Sequence, residues 1–334
     1  MSVMNKPIEA EDSAVVAEAE AAAERMVAAR TEIGRVIFGQ EAVVERTLVT
    51  LLSGGHGLLV GVPGLAKTRL VTALGTVLGL DSRRIQFTPD LMPSDILGSE
   101  VLEQASDGSR VFRFVMGPVF TQLLMADEIN RASPRTQSAL LQAMQENHVT
   151  VAGQSHALPQ PFHVLATQNP LEHEGTYPLP EAQLDRFLMQ IDVLYPEREA
   201  ERQILLETTG AEDAQPETVL QEGELARYQK LVRRLPVGES VVEAILDLVR
   251  SARPEDGDGE TGDIAWGPGP RASQALMLTV RARALIEGRL SPSVDDVLAL
   301  AEPVLQHRMA LTFAARAEGR TVRGVIGKLA AEIG

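Results

Sequence analysis

The residues whose types and spacing could best do chemistry lie in the stretch "LLVGVPGLAKTRL", which starts at Leu58. Backbone N–H groups of a tight glycine loop can surround phosphate oxygens, and the N-terminus of a following helix adds partial positive charge. A lysine at that junction reaches the terminal phosphates, and a neighbouring hydroxyl can ligate Mg²⁺. The candidate phosphate-binding residues are Gly61, Val62, Pro63, Gly64, Leu65, Ala66, Lys67, Thr68 and Arg69.

One position of this loop departs from the general phosphate-loop pattern. That pattern has glycine immediately before the lysine, whereas this chain has Ala66. Alanine is small, and it is tolerated if the position has helical dihedral angles rather than left-handed ones. Ala66 therefore suits the loop without strain only under that condition. Without a partner site, the stretch could also be a glycine turn between a strand and a helix.

A second candidate site is the pair of adjacent carboxylates in "FTQLLMADEINR". An apolar strand delivers Asp127 and Glu128 at its carboxyl end, where ligands bind in open α/β sheets. Asp127 could hold Mg²⁺ with Thr68, and Glu128 could polarise an attacking water as a general base. The alternative is an acidic turn between a strand and a helix.

Three further residues qualify by context. Asn169 ends the apolar stretch "FHVLATQNP" and could position a water beside the terminal phosphate, or it could be an Asn-Pro turn former. Phosphoryl transfer also needs a cation at the terminal phosphate, supplied in cis or by a neighbour. Arg186 in "LPEAQLDRF" and Arg271 in "GPGPRASQAL" are candidates, although each alone could be a solvated surface charge.

The elements that position these residues alternate between short apolar runs and helical patterns from about residue 34 to 195, which is typical of βαβ units. The predicted strands are Gly57–Gly61, Arg84–Phe87, Gln122–Asp127, His163–Thr167 and Met189–Val193. The predicted helices are Ala42–Leu52, Lys67–Leu78, Pro134–Glu146, which Ser133 would cap, and Glu181–Arg186. The fold class is α/β, with a parallel sheet followed by a small all-α domain.

Two β-ribbons and a leader helix complete the predicted organisation. A turn at Asp107-Gly108 would join one ribbon within residues 95–116, and a turn at Gly153 would join another within 147–160. Residues 1–30 contain an Ala/Glu-rich helix that should start near Asp12 or Ser13. The predicted domains are this leader helix, a core over 31–195 and a helical domain over 196–334.

Composition limits the possible classes of protein. The 334 residues include no cysteine, 31 Lys and Arg and 46 Asp and Glu, so the formal net charge is −15. Such an excess of negative charge disfavours general nucleic-acid binding. The acidic N-terminus does not resemble a signal peptide, and no apolar run is long enough for a membrane span. We expect a cytoplasmic protein.

Together and in this order, the phosphate loop, the acidic pair, Asn169, "LDRF" and "PRA" resemble the MoxR group of AAA+ ATPases over about residues 33–330. The resemblance is strongest in "LLMADEINRASPRTQSALLQAMQE", "ATQNPLEHEGTYPLPEAQLDRF" and "GPGPRA". It implies a phosphate-loop αβα core with a helical lid, and ATP bound with Mg²⁺ between the protomers of a ring, most often a hexamer.

The resemblance also implies residue roles. Lys67 and Thr68 would bind phosphate and Mg²⁺, Asn169 would be a polar sensor, Arg186 an arginine finger that reaches a neighbour's ATP, and Arg271 a sensor in the lid. The family's adenine-side segment would correspond to Val36–Gln40, with Ile37, Gly39 and Gln40 as its binding residues. The two ribbons would be inserts that line the ring and contact the substrate.

The function that the resemblance implies is ATP-driven, chaperone-like remodelling of protein clients, often metal-cofactor enzymes, with partners that carry a von Willebrand factor A domain. Two alternatives remain at this point. One is a chelatase-type or nucleic-acid motor subunit, which the net charge disfavours in its nucleic-acid form. The other is a nucleotide-gated scaffold with little turnover, which would not need the general base Glu128.

Overall fold

The computed structural model describes residues 6–104, 109–172, 174–210, 214–254 and 260–333. Its strands are β1 Gly57–Val60, β2 Ser82–Gln86, β3 Gly98–Gln104, β4 Arg110–Met116, β5 Leu123–Asp127, β6 His148–Val151, β7 Gln154–Ala157, β8 His163–Gln168, β9 Met189–Asp192, β10 Ile264–Trp266 and β11 Ala310–Leu311. Its helices are α1 Lys6–Gly34, α2 Glu41–Leu52, α3 Lys67–Val77, α4 Pro93–Leu97, α5 Pro134–Glu146, α6 Glu181–Leu184, α7 Arg198–Thr208, α8 Glu224–Val232, α9 Glu239–Ser251, α10 Pro270–Ile286, α11 Val294–Leu305, α12 Phe313–Ala317 and α13 Val322–Ala331.

The centre of the molecule is a five-stranded parallel sheet in the order β2-β5-β8-β1-β9. Every residue of β5 is buried, as expected for a strand that is covered by helices on both faces. Because the strands are parallel, the carboxyl ends of β5, β8 and β1 lie side by side at one edge of the sheet. The predicted parallel sheet is confirmed. The bounds of each predicted strand differ from those of an observed strand by no more than two residues.

The helix that follows the acidic strand begins where the sequence predicts. The Ser133 hydroxyl accepts a hydrogen bond from the backbone N–H of Thr136, and Pro134 occupies the first turn. The residue that follows α5, Asn147, has a left-handed conformation with φ of 55° and ends the helix. Because α5 starts at the carboxyl edge of the sheet, its end returns to the amino edge. The predicted helix Glu181–Arg186 is shorter in the structure and ends at Leu184.

Both predicted ribbons are present as antiparallel hairpins, β3–β4 and β6–β7. The second turns at Ala152 and Gly153, which both have positive φ. The predicted turn of the first, at Asp107-Gly108, lies outside the described residues. The two ribbons contact each other, because the ring of Phe114 stacks on that of His156 with centroids 4.0 Å apart.

The N-terminal helix is an integral part of the fold. It begins at Lys6, earlier than the predicted start at Asp12 or Ser13, and runs to Gly34. Its buried residues include Ala22, Met26 and Ile33, and it contacts α2 and α3 of the core as well as α8 and α10 of the helical domain. It therefore joins the two parts of the molecule.

The helical domain comprises α7 to α13, and α10 and α11 pack closely together at its centre. The prediction that it is all-α is wrong in one detail, since β10 and β11 form a short antiparallel ribbon. Its side chains share one continuous hydrophobic cluster with the core, so the two parts are packed against each other. In the parts of the chain that the structure describes, no helix has the length and apolar character to cross a membrane.

Candidate nucleotide-binding site

The phosphate loop lies at the carboxyl edge of the sheet, between β1 and α3. It needs glycine at two positions for different reasons. A Cβ atom on Gly61 would come within 2.5 Å of the backbone oxygen of Val193. Gly64 has a φ of +85°, which side-chain-bearing residues rarely adopt. The Gly61 N–H also donates to the Gln168 carbonyl at 3.1 Å, which fixes the start of the loop against β8.

The condition of helical dihedral angles is not met at Ala66. Ala66 precedes the first residue of α3 and has φ of 56° and ψ of 19°, a left-handed conformation. An L-residue in this conformation costs about 1 kcal/mol or more. The loop geometry therefore requires at Ala66 the conformation that glycine adopts most easily, and the chain bears this strain at the phosphate site.

Lys67 folds back over the loop that precedes it. Its Nζ donates to the backbone oxygen of Gly61 and, at 3.3 Å, to that of Val62. Burial lowers the pKa of Lys67, while the nearby carboxylates of Asp127 and Glu128 act in the opposite direction. The structure thus brings the lysine and both acids into one electrostatic environment, as the sequence predicted.

Asp127 is held by two residues that sequence reasoning missed. Arg84 on β2 donates to its Oδ2 from Nε at 3.1 Å and from Nη2 at 2.5 Å. The Thr167 hydroxyl on β8 donates to its Oδ1 at 2.6 Å. The Asp127 residue is only 9% exposed, whereas the Arg84 side chain is 50% exposed. Asp127, the predicted Mg²⁺ ligand, is therefore paired with a solvent-accessible guanidinium.

Glu128 has an equally constrained environment. Its φ of 55° and ψ of 51° place it in the left-handed region, at the start of the 3₁₀ turn Ile129–Arg131. Its Oε2 accepts hydrogen bonds from Gln86 Nε2 at 2.8 Å and Arg131 Nη1 at 3.1 Å. Its backbone N–H donates to the Thr167 hydroxyl at 2.8 Å. Both were missed: the contact of Gln86 with Glu128 depends on the pairing of β2 with β5, whereas Arg131 reaches Glu128 from three residues along the chain, across the 3₁₀ turn.

Asn169 follows β8, which lies between the strand of the acidic pair and the strand of the phosphate loop. It is 6% exposed, and its Oδ1 accepts a hydrogen bond from the Leu171 N–H at 3.1 Å. The side chain therefore has both features that the sequence suggested, a turn-stabilising bond and a place at the carboxyl edge.

The predicted adenine-side segment is packed against the chain that leaves β9. Gln40 Nε2 donates to the backbone oxygen of Leu194 at 2.8 Å, and Ile37 is buried. Gly39 has a φ of +65°, and a Cβ atom there would meet the Cβ atom of Ala200 at 2.3 Å. The segment is thus fixed beside the strand that borders the phosphate loop.

Arg186 and Arg271 do not join this site. They line a surface cavity with Gly55, His56 and Gln145, which lie next to the amino end of β1 and the carboxyl end of α5. That is the edge of the sheet opposite the phosphate loop. Within one chain, Arg186 and Arg271 are therefore separated from Lys67 and Glu128 by the length of the strands.

The donor set at the carboxyl edge fits Mg²⁺ that is shared with a nucleotide. Mg²⁺ prefers oxygen ligands and commonly uses one or two carboxylates together with substrate phosphates and waters. Asp127 and the exposed residue Thr68 carry oxygens of this kind and would be the ligands. Within the described residues no group of three or more His, Asp or Glu side chains could hold a metal by itself.

Comparison with known families agrees with this arrangement. Residues 56–189 match the ATPase family associated with various cellular activities (AAA), and residues 260–328 match the AAA lid domain. The fold and the site thus define the chain as a AAA+ ATPase with a helical lid.

Similar proteins narrow the class further. Chaperone MoxR1 of Mycobacterium tuberculosis is 44% identical over 301 residues, which cover 89% of this chain and 79% of the relative. Protein MoxR of Paracoccus denitrificans is 31% identical over 303 residues, covering 85% of this chain and 88% of that protein. The chain belongs to the MoxR family of AAA+ ATPases, as predicted.

A solved structure of a Cytophaga hutchinsonii protein, provisionally described as an ATPase, superimposes with a TM-score of 0.89. It is 36% identical, and the match covers 97% of this chain and 98% of that one.

Proposed function

We propose that the protein hydrolyses ATP with Mg²⁺ at the interfaces between copies of itself in a closed ring, most simply a hexamer. It would use this cycle to remodel or mature protein clients. The observation that carries the proposal is the separation of the predicted cations, Arg186 and Arg271, from the acids and the phosphate loop. The residues of one chain make a complete site only if a neighbour's arginine edge meets this chain's carboxyl edge.

The residues of the carboxyl edge have distinct tasks in this reaction. Lys67 and the loop N–H groups bind the phosphates, while Asp127 and Thr68 would hold Mg²⁺, which neutralises phosphate charge when bound. Glu128 accepts a proton from water as the water oxygen bonds to the γ-phosphorus and the bond to the leaving ADP oxygen breaks. Gln86 and Arg131 orient the Glu128 carboxylate for this step.

Distance explains why the arginines need a neighbour. Strands rise about 3.3 Å per residue, so a four-residue strand such as β1 separates its two edges by roughly 13 Å. An arginine side chain at the amino edge does not cross that distance through a packed sheet. A head-to-tail contact between copies places one chain's amino edge beside the next chain's carboxyl edge, and such contacts close into rings.

The client-binding role is supported by the ribbon β3–β4 and by the name of a relative. Leu102 and Phe112 are cross-strand partners, and both are exposed, as are Val101 and Val115 on the opposite face. Exposed apolar groups of this kind are typical of protein contacts. A metalloenzyme client, a von Willebrand factor A domain partner and a cytoplasmic location are proposed from the family resemblance alone.

The test is steady-state ATP hydrolysis in mixtures of two variants, Glu128→Gln and Arg186→Ala. Glu128→Gln keeps its arginines and Arg186→Ala keeps its acids, so a mixed ring contains some complete sites. We expect each variant alone to be at least about a thousandfold slower than wild type, the scale of an arginine finger, and the mixture to regain activity. Arg316→Ala, at an exposed arginine of the helical domain, is the control and should retain wild-type turnover.

Several outcomes would contradict the proposal. Full activity of Arg186→Ala, or a mixture no faster than its components, would mean that the site is not shared between copies. Wild-type turnover equal to that of Glu128→Gln would favour the nucleotide-gated scaffold instead. Light scattering with ATP bound measures whether the copies assemble.

A further inference from the structure

Arg186 lies in the turn that precedes β9. Three consecutive side chains of the helical domain form hydrogen bonds with this turn and with β9. These belong to a 3₁₀ turn, Gln306–Arg308, which directly follows α11. Gln306 Nε2 donates to the Gln190 carbonyl at 3.0 Å, and His307 Nε2 bonds the Phe187 carbonyl at 3.0 Å. Each of these bonds is to backbone, so the contact fixes the path of the chain that bears Arg186.

Arg308 makes most of this contact. It is only 2% exposed, and its guanidinium donates to the carbonyls of Phe187 at 2.6 Å, Leu188 at 3.2 Å and Val304. Its Nε also donates to Asp185 Oδ1 at 2.8 Å. A buried charge persists only when it is paired and hydrogen-bonded, and the planar fork of arginine provides directions that lysine lacks.

Asp185 has a second partner on its other oxygen. Arg271 Nη1 lies 3.4 Å from Asp185 Oδ2, and the Arg271 side chain is 53% exposed. This contact is longer and more exposed to solvent than the bond to Arg308. Arg271 can therefore break its contact with Asp185 at low cost while the bond between Arg308 and Asp185 remains. Among the residues that line the cavity at this edge, three arginines and one carboxylate give a net charge of +2, on a chain whose formal charge is −15. Such a local excess suits the polyphosphate of a nucleotide on a neighbouring copy.

We propose that Arg308 is a positioning residue for catalysis in the adjacent subunit. Through Asp185 and the carbonyl of Phe187, it holds the turn so that Arg186 faces the neighbour, and it keeps Asp185 in place as the resting partner of Arg271. Both cations are thereby tied to the helical domain, so a movement of this domain changes hydrolysis in the neighbour's site. This inference rests on the proposed function.

The test compares Arg308→Lys with wild type in full-length protein. Lysine keeps the charge but loses the fork, so we expect unchanged affinity for a fluorescent ATP analogue and unchanged assembly. The kcat should fall by roughly a hundredfold, the usual effect of a misplacement of about 1 Å. Mixing with Glu128→Gln should restore turnover, because the Glu128→Gln neighbour supplies correctly held arginines. Arg316→Lys, the same substitution at an exposed arginine of the helical domain, should retain wild-type kcat.

A double variant separates positioning from general damage. Arg308→Lys should add little to the defect of Arg186→Ala, because its main effect on turnover is the misplacement of Arg186. If Arg308→Lys does not fold, as judged by its thermal melt, Asp185→Asn takes its place in the same measurements. Weakened ATP binding, absence of rescue by Glu128→Gln, or a defect that multiplies with that of Arg186→Ala would overturn the inference. If the mixture of Arg186→Ala and Glu128→Gln regains no turnover, the proposed function is wrong, and the inference about Arg308 falls with it.

Discussion

Ala66 and Glu128 both have left-handed backbone conformations, and each lies next to a residue that the reaction needs. Non-glycine residues adopt this conformation only when the surrounding structure fixes them there. At Glu128 the fixing groups are visible, because Thr167 binds its N–H and Gln86 and Arg131 bind its carboxylate. These contacts thus fix the carboxylate of Glu128, the proposed general base, in the absence of a nucleotide.

At the residue scale, Arg84 would compete with Mg²⁺ if Asp127 is the proposed ligand. Its guanidinium donates to Oδ2 from two nitrogens, so this oxygen is engaged before any metal binds. We expect Arg84→Ala to lower the Mg²⁺ concentration that half-saturates binding of a fluorescent ATP analogue by several-fold. That change corresponds to about 1 kcal/mol, since a half-exposed ion pair contributes no more. The measurement is a Mg²⁺ titration at fixed nucleotide and needs no turnover.

Arg83→Ala is the matched control for this titration. Arg83 is the preceding residue of β2, and its side chain projects from the other face, with Nε 3.9 Å from Asp81. Its removal should leave the Mg²⁺ requirement unchanged. A higher Mg²⁺ requirement in Arg84→Ala would mean that Arg84 orients Asp127 for the metal and does not compete with it.

At the scale of elements, α1 links the core to the helical domain through buried alanines and two larger side chains, Met26 and Ile33. Met26 is fully buried, while the next residue, Val27, is 42% exposed. We expect Met26→Ala to lower the free energy of unfolding by about 3 kcal/mol, because it leaves a cavity where several elements meet. Urea denaturation measures the change.

Val27→Ala serves as the comparison on the same helix turn, with an expected loss of no more than about 0.5 kcal/mol. If Met26→Ala were as mild as Val27→Ala, α1 would not unfold together with the rest of the chain. A separate transition at lower urea concentration in the Met26→Ala curve would lead to the same conclusion.

Local signals explain which elements the sequence predicts well. The strands β5 and β8 are apolar runs that end in polar residues, and α5 begins with a capping serine and a proline, so each is specified by its own residues. The packing of α1 is different, because an Ala/Glu-rich segment predicts a helix but not what covers it. The side chain of Arg84 reaches Asp127 only through the register of β2 on β5, which no local pattern specifies.

The same limit applies to the arginines of the site. The motifs around Arg186 and Arg271 identify them as candidate cations, yet their place at the amino edge follows from the assembled sheet and helical domain. Arg308 has no motif at all, and its proposed role depends on contacts with Asp185, Phe187 and Leu188, which lie far from it along the chain.

At the scale of the whole molecule, three histidines lie where separate parts of the chain meet; His163 and His307 are buried and His56 is partly buried. His56 accepts from the Val164 N–H at Nδ1 and bonds the Met144 carbonyl with Nε2, so its ring is neutral. His163 bonds the Gly55 carbonyl and accepts from Gln229 of α8. Burial lowers the pKa of His56 to about 3 and that of His163 to about 4. Burial also lowers the pKa of His307, which bonds the Arg186-bearing turn.

These histidines make stability depend on pH in a defined window. Above pH 6.5 both the folded and unfolded states leave them neutral, so the full stability is present. As the pH falls from 6.5 towards 4, the unfolded chain binds protons that the folded chain does not, and stability is lost. Each histidine that stays neutral should contribute a loss of about 2 kcal/mol between pH 7.5 and 5. Urea denaturation across this range at constant ionic strength measures the slope.

His163→Gln tests the assignment of this slope. Glutamine can keep a hydrogen bond to the Gly55 carbonyl but does not titrate, so the loss between pH 7.5 and 5 should be smaller by about 2 kcal/mol, whatever the starting stability. An unchanged slope in His163→Gln would place the proton uptake elsewhere, and a flat wild-type profile would mean that the interior accepts charged histidines. Because His163 ties β8 to α8, the same titration also measures how strongly protons loosen the core from the helical domain that carries Arg271 and Arg308.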